Sequence, residues 1–216
     1  MTFDVRPLVG SAGELHGLTV PDDVGAEVWC MSATRAAVVL GSRQTPSVLD
    51  ATAVARADVD VVRRRSGGGA VLVVPGEMVW IDVIIPVAHR VWCPDVARSM
   101  EVVGEAWARA LAPFDAGPLH VHRGPMVRTP WSELVCFDGV GPGEVMRGDA
   151  KLVGISQRRT RLAARFQCAL HLRHDPDALA RLLTGPPPAV ARRAVATLPA
   201  VPPLDLAASL AHALVG

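Results

Sequence analysis

The sequence predicts an α+β fold: an antiparallel or mixed β-sheet flanked by helices. Three observations predict it. Short apolar, β-prone runs follow one another in pairs; a few stretches of helical periodicity stand between them; and no apolar run approaches the ~20 residues of a membrane-spanning helix. The 216 residues are half hydrophobic and one-fifth charged, with a formal net charge of +1. Disorder throughout is excluded by that composition. Nor is there a field strong enough to make nucleic acid or an acidic membrane the main partner. The opening MTFDVRPLVGSAGELHG has no charged segment followed by an apolar one, so no secretory signal is expected. Cys30, Cys93, Cys136 and Cys168 lie far apart and form no Cys-x-x-Cys. They read as reduced thiols, consistent with a cytoplasmic protein.

Taken in order, residues 1–25 carry Gly10, Gly13, Gly17, Gly25 and Pro21 and predict loops with one short strand. Glu27–Cys30 and Ala36–Leu40 predict two strands. Ser47–Ala57 predicts a helix started at Thr45–Pro46. Val59–Arg63 predicts a strand that runs into three glycines. Ala70–Val74 and Met78–Ile85 then read as a hairpin around Pro75–Gly76. Asp95–Leu111 has Val96, Met100, Val103, Trp107 and Leu111 on one helical stripe. Leu119–His122, Leu134–Phe137, Glu144–Met146, Leu152–Ser156 and Phe166–Leu172 predict further strands. Asp177–Leu183 predicts a helix that stops at Gly185-Pro186-Pro187-Pro188. Leu204–Val215 predicts a C-terminal helix beyond a proline-rich stretch.

Lysine usage is unusual. Of 22 basic residues only Lys151 is lysine, and asparagine and tyrosine are absent. Where arginine has replaced lysine so widely, a surviving lysine marks a place for a compact point charge rather than a planar fork. Lys151 begins an apolar strand after a Gly148–Asp149 turn, and Gly154 and Ser156 follow on it. The other segment that carries chemistry is Arg63-Arg64-Arg65-Ser66-Gly67-Gly68-Gly69-Ala70-Val71. Three glycines between strands leave backbone N–H groups uncovered, and such a loop can wrap a phosphate or an extended ligand. The adjacent arginines supply bidentate donors for phosphate oxygens. The segment is neither a Rossmann nor a P-loop motif.

Together these segments resemble the lipoate–protein ligase family of the biotin/lipoate ligase superfamily. The first matches the family's Arg-Arg-x-Ser-Gly-Gly-Gly-Ala-Val run. The second, Glu144 through Arg159, matches a carboxylate-bearing strand, a Gly turn and Lys-[IV]-x-Gly-x-[AS]-Gln-Arg-Arg. The resemblance covers about 27–183 of a single catalytic domain spanning 1–216; 184–216 is a proline-rich segment plus a helix. It implies a biotin/lipoate ligase-like catalytic fold that binds lipoate or octanoate, or its adenylate, with ATP and Mg as cofactors. The Gly-rich loop (Ser66, Gly67, Gly68, Gly69, Ala70) would lie along the acyl chain and the adenylate. Arg64 would contact phosphate or adenine, Glu144 would stand near nucleotide and metal, and Lys151 would hold acyl and phosphoryl oxygens. Burying an eight-carbon chain is worth on the order of 5 kcal/mol at ~0.8 kcal/mol per methylene. The acceptor would be the lysine of a lipoyl-domain protein, of the 2-oxoacid dehydrogenase E2 or glycine cleavage H protein type.

Cys136 opens a second chemistry. Cys136-Phe137 resembles the nucleophile segment of octanoyltransferases and amidotransferases, which form a thioester and need no ATP. The family's His-Asp after the glycines is replaced by Val73-Val74. That points to a third alternative, a catalytically weak acyl- or nucleotide-binding paralogue. His120-x-His122 and His171-x-x-His174 lack acidic or thiol partners at ligand spacing, so no metal site is expected. Asp82, inside an apolar strand, should pair with an arginine or face the ligand.

Overall fold

The computed structural model describes residues 2–186 and 188–216. Pro187, within the expected helix stop, lies outside them. Seven strands form the larger sheet: β1 (Asp4–Gly10), β2 (Glu27–Ala33), β6 (Met78–Pro86), β10 (Ala163–His171), β9 (Ala150–Arg159), β8 (Val145–Arg147) and β7 (His120–Val121), side by side in that order. β1 and β2 run parallel and the other neighbours antiparallel. A smaller sheet has β3 (Ala37–Leu40) between β4 (Asp60–Arg63), its parallel partner, and β5 (Val71–Val73), its antiparallel one. The sheets are mixed and helices flank them, as the sequence predicts.

Two helices, α3 (Val96–Ala110) and α5 (Pro203–Ala213), cover one face of the larger sheet. Asp95 caps α3 by accepting the Arg98 N–H. Val103, Trp107 and Leu111 of the expected stripe are fully buried there. Gly104 of α3 meets the loop before Glu144 so closely that a Cβ would lie 1.9 Å from the Gly143 carbonyl oxygen. On the opposite face, Trp29, Met31, Trp80 and Ile84 of the larger sheet pack against Ala37, Val39 and Val73 of the smaller one.

Several local expectations change. Residues 1–25 hold a seven-residue strand and α1 (Ala12–Gly17). Ser11-x-x-Glu14 forms a capping box in which Ser11 and Glu14 satisfy each other's N–H groups, a signal legible in the sequence. Residues 46–57 divide into a 3₁₀ turn, Pro46–Val48, and α2 (Ala51–Ala57), capped by Asp50. Pro75–Gly76 is a turn, with Gly76 at φ 75°, but β5 and β6 do not form a hairpin. β5 pairs with β3 and β6 with β2 and β10, so the chain changes sheet there. Leu134–Phe137 is not a strand: only Val135 bridges to Ala70, and Cys136–Asp138 is a 3₁₀ turn. α4 is short, Pro176–Ala180, because Leu183 instead bridges to Leu49.

The C-terminal stretch joins the core. Lys151 donates its N–H to Ala194 O at 3.1 Å, and Ala196 donates to Lys151 O at 2.9 Å. Ala196, Leu198, Val201 and the inner face of α5 share the main apolar cluster.

Candidate active site

Residues 64–70 form a braced loop. Arg64 is buried and serves as its internal clamp: Nη2 donates to Gly67 O and Gly69 O, both at 2.8 Å, and Nη1 to Val39 O at 3.3 Å. Its guanidinium is thus spent largely on the loop's own carbonyls, not turned out toward a nucleotide. The three glycines differ in purpose. Gly69 presses on the neighbouring chain, where a Cβ would come within 2.7 Å of the Val135 backbone. Gly68 adopts φ +99°, which favours glycine, and a Cβ there would lie 2.8 Å from Arg64 Nη2. Gly67 faces open space. Among the described residues, the N–H groups of Gly67, Gly68 and Gly69 donate to no protein acceptor. Ala70, fully buried, fastens the loop to the Cys136 segment: its N–H donates to Leu134 O at 2.8 Å and its carbonyl accepts the Cys136 N–H at 2.9 Å. Ser66 Oγ lies 3.0 Å from Ser156 Oγ and donates to Gln167 Oε1 at 2.9 Å.

Lys151 is 1% exposed, so it is a buried ammonium rather than a strand-end charge. It donates to Gly139 O at 2.7 Å, Cys136 O at 2.9 Å and Glu144 Oε2 at 3.0 Å. Three donors meet three acceptors. Glu144 is engaged through both oxygens, accepting also the Gly141 N–H at 2.8 Å and the Ile155 N–H at 3.1 Å. Phe137 lies beneath the ammonium, 4.8 Å from ring centroid to Nζ. Gly154 makes room for that ring; a Cβ would sit 3.1 Å from it. His171 meets the same ring edge-on at 4.6 Å and is held neutral, its pKa lowered to about 3 by burial first, then by His174 and Lys151.

Cys136 is half-buried, and its Sγ lies 3.6 Å from Arg64 Nη2. It stands where two spaces meet. One is a cleft of about 820 Å³ into which Lys151, Glu144 and the three glycines face. The other is a narrow apolar passage between the two sheets, walled by Val39, Val71, Val73, Met78, Trp80 and Phe137. Ile155 and Ser156 line both. The predicted residues Lys151, Cys136, Glu144, Gly67, Gly68, Gly69 and Ser156 therefore converge on the cleft. Arg64 and Gly154 line the passage behind, and Ser66 and Ala70 act as supports.

Sequence reasoning passed over Arg43 and Arg128, which line the cleft, and Gln44, whose amide accepts the Gly41 N–H and donates to Glu133 O and Leu134 O. The arginine surplus concealed the first two, and an isolated glutamine gives no signal. It also passed over His16 and Gln167 at the inner end of the passage, joined at 2.9 Å. Asp82 pairs with Arg165 at 2.6 Å and accepts the Trp80 indole N–H at 2.8 Å, the arginine option for that residue. No three His, Cys, Asp or Glu side chains converge on one point among the described residues. No helix there is long and apolar enough to cross a membrane.

Among solved structures this two-sheet architecture is that of lipoate–protein ligase catalytic domains. A lipoate-protein ligase A bound with ATP superposes with a TM-score of 0.75 at 17% identity, covering 99% of this chain and 84% of the other. A T. acidophilum protein with bound lipoic acid gives 0.74 at 17%, with the same coverage. The bi-partite lipoate protein ligase of Thermoplasma acidophilum, described with its E2 lipoyl domain, gives 0.69 at 17%, covering 99% and 82%. At these identities the likeness establishes the fold. The family follows from sequence: the model of the lipoyl protein ligase A/B catalytic domain matches residues 22–206, and the chain belongs to that family. The match runs past residue 183 into the stretch that flanks Lys151. No curated protein matches significantly.

Proposed function

We propose that this protein is a lipoate–protein ligase-like acyltransferase that attaches a lipoyl or octanoyl group to the lysine of a lipoyl domain. One observation carries the reading. A buried, fully coordinated Lys151 ammonium lies at a cleft beside three uncommitted glycine N–H groups. Attack on an acyl carbonyl builds negative charge on oxygen, and positioned donors of this kind stabilise it. An acyl oxygen reaching Lys151 would replace one of the two carbonyls, while Glu144 keeps the charge balanced. The chain would lie in the apolar passage between the sheets.

In the adenylate route the acid's carboxylate attacks the α-phosphorus of ATP and pyrophosphate leaves. The acceptor lysine amine then attacks the acyl carbonyl, and AMP and a proton leave. Arg43 and Arg128 would receive the phosphates, with the free glycine N–H groups. Glu144, expected near the metal, already holds Lys151 and two backbone N–H groups, so Mg²⁺ would enter as part of the nucleotide.

The position of Cys136 favours a second route. Its sulfur lies where passage and cleft meet, beside the Arg64 guanidinium. The thiolate would attack a donor thioester or amide, the donor thiol or amine would leave with a proton, and the acceptor lysine would then displace Cys136. Intact mass spectrometry of an apo lipoyl domain separates the routes. E2-type or H-protein-type domains would be incubated with octanoate or lipoate and Mg-ATP, or with an octanoyl carrier protein. ATP-dependent mass gain supports the adenylate route and ATP-independent gain the thioester. No gain with any donor overturns the transferase and leaves an acyl- or nucleotide-binding protein.

A further inference from the structure

The passage does not end in an apolar wall. Alternation along a strand puts Gly154, Ser156 and Arg158 of β9 on one face. Across the sheet they pair with Ala169, Gln167 and Arg165 of β10. The floor therefore grades from small, to neutral polar, to a rung with two arginines directly opposite each other. Like charges so placed repel, and a sheet does not gain from them alone. Beyond the His16–Gln167 contact these arginines and Arg65 line a basin of about 180 Å³. Of the three, only Arg165 has a counter-charge among the described residues, Asp82 at 2.6 Å, and its remaining donors hold Leu15 O and Leu18 O. Among the described residues, the Arg65 and Arg158 side chains donate to no protein acceptor. His16 and Gln167 line both basin and passage, so the two spaces adjoin at these side chains. His16 stays neutral, its pKa lowered to about 3 by burial and then by Arg165 and Arg64, in keeping with a positive local field.

We infer that the basin binds an anionic group at the far end of the acyl chain, so that the passage accepts an α,ω-dicarboxylic acyl substrate whose distal carboxylate meets Arg158 and Arg65. The inference rests on the acyl-binding reading above and names its substrate class. The lengths are of one order. Four strand residues separate Gly154, in the passage, from Arg158, about 13 Å at ~3.3 Å per residue, and octanedioate, with nine bonds between its terminal oxygens, is roughly 10 Å long when extended. Carboxylate and guanidinium match in a bidentate fork. A wholly apolar chain of that length would end among unpaired cations.

Isothermal titration of the full chain with octanedioate, octanoate and inorganic phosphate tests this without turnover. Expected is octanedioate binding at least ~10-fold tighter than octanoate. Arg158→Gln and Arg65→Gln should each reduce that preference and leave octanoate binding unchanged. Equal affinities, or a preference that survives both substitutions, would overturn the inference while acyl binding stands. Phosphate binding sensitive to Arg158→Gln, without preference for octanedioate, would also overturn it and leave an anion site independent of the passage. If neither acid binds, the acyl-binding reading itself fails.

Discussion

Glu144 Oε2 lies 3.0 Å from Lys151 Nζ, and neither side chain is more than 6% exposed. The pair joins the loop packed on α3 to strand β9, with the carbonyls of Cys136 and Gly139 completing the shell. Removing one member strands a buried charge, which typically costs ~3–5 kcal/mol. Lys151→Ala and Glu144→Gln should each lose stability of that order in urea unfolding. The double variant should lose less than the sum. Additive losses would mean that the two side chains are not coupled.

Activity should separate from that stability effect at Lys151→Arg. The substitution keeps the charge but brings a wide planar fork into a shell shaped for three point contacts. Loss of a contact to developing negative charge costs roughly 10²–10³ in rate. Transfer to a lipoyl domain should fall by about that factor in protein that remains folded by circular dichroism. Near-wild-type transfer would remove Lys151 from the chemistry.

The glycine loop should give opposite results at two positions two residues apart. Gly67 faces open space, so Gly67→Ala should change stability by less than ~0.5 kcal/mol and weaken binding in the cleft. Gly69 presses on the Val135 backbone, so Gly69→Ala should cost roughly 1–3 kcal/mol. Thermal unfolding with and without an acyl ligand reads both.

Under the thioester route, wild type mixed with an acyl donor carries a hydroxylamine-labile mass adduct and Cys136→Ser carries none. A Cys136→Ser protein with full transfer activity leaves direct attack on an adenylate as the surviving route.

Acid should destabilise the fold through two imidazoles. His16 and His171 have folded pKa values lowered from 6.5 to about 3. Between those values the unfolded chain binds protons that the folded chain refuses. Stability therefore falls as pH drops below 6.5, by up to ~1.4 kcal/mol per pH unit for each histidine. His16→Gln should flatten the slope by about one proton's worth, and an unchanged slope would show that His16 accepts its proton in the folded state.

Much of the site was legible because it is written in chemically rare residues. A single lysine in an arginine-rich chain and three adjacent glycines point to the cleft. Partners set by tertiary packing were not legible. Nothing local shows that Arg64, beside the glycines, is turned inward onto the loop's carbonyls rather than out toward a ligand. Pro75–Gly76 announces a turn, but local signals cannot say that the chain there leaves one sheet for another. The α1 signal, Ser11-x-x-Glu14, was present and was masked by the surrounding glycines. Arg65 and Arg158 belong to the two signature segments, but only strand pairing places Arg158 opposite Arg165.

The backbone hydrogen bonds between Lys151 and residues 194 and 196 have a consequence for the order of assembly. Lys151 cannot gain these partners until more than forty residues beyond it have been synthesised, and α5 closes over the first strands of the chain later still. A nascent chain halted before residue 194 therefore carries both signature segments but leaves the backbone at Lys151 unpaired on that side. Contacts so distant in sequence form late and slow the final step of folding. The cleft beside Lys151 is therefore completed only after both signature segments have been made, by residues outside either of them.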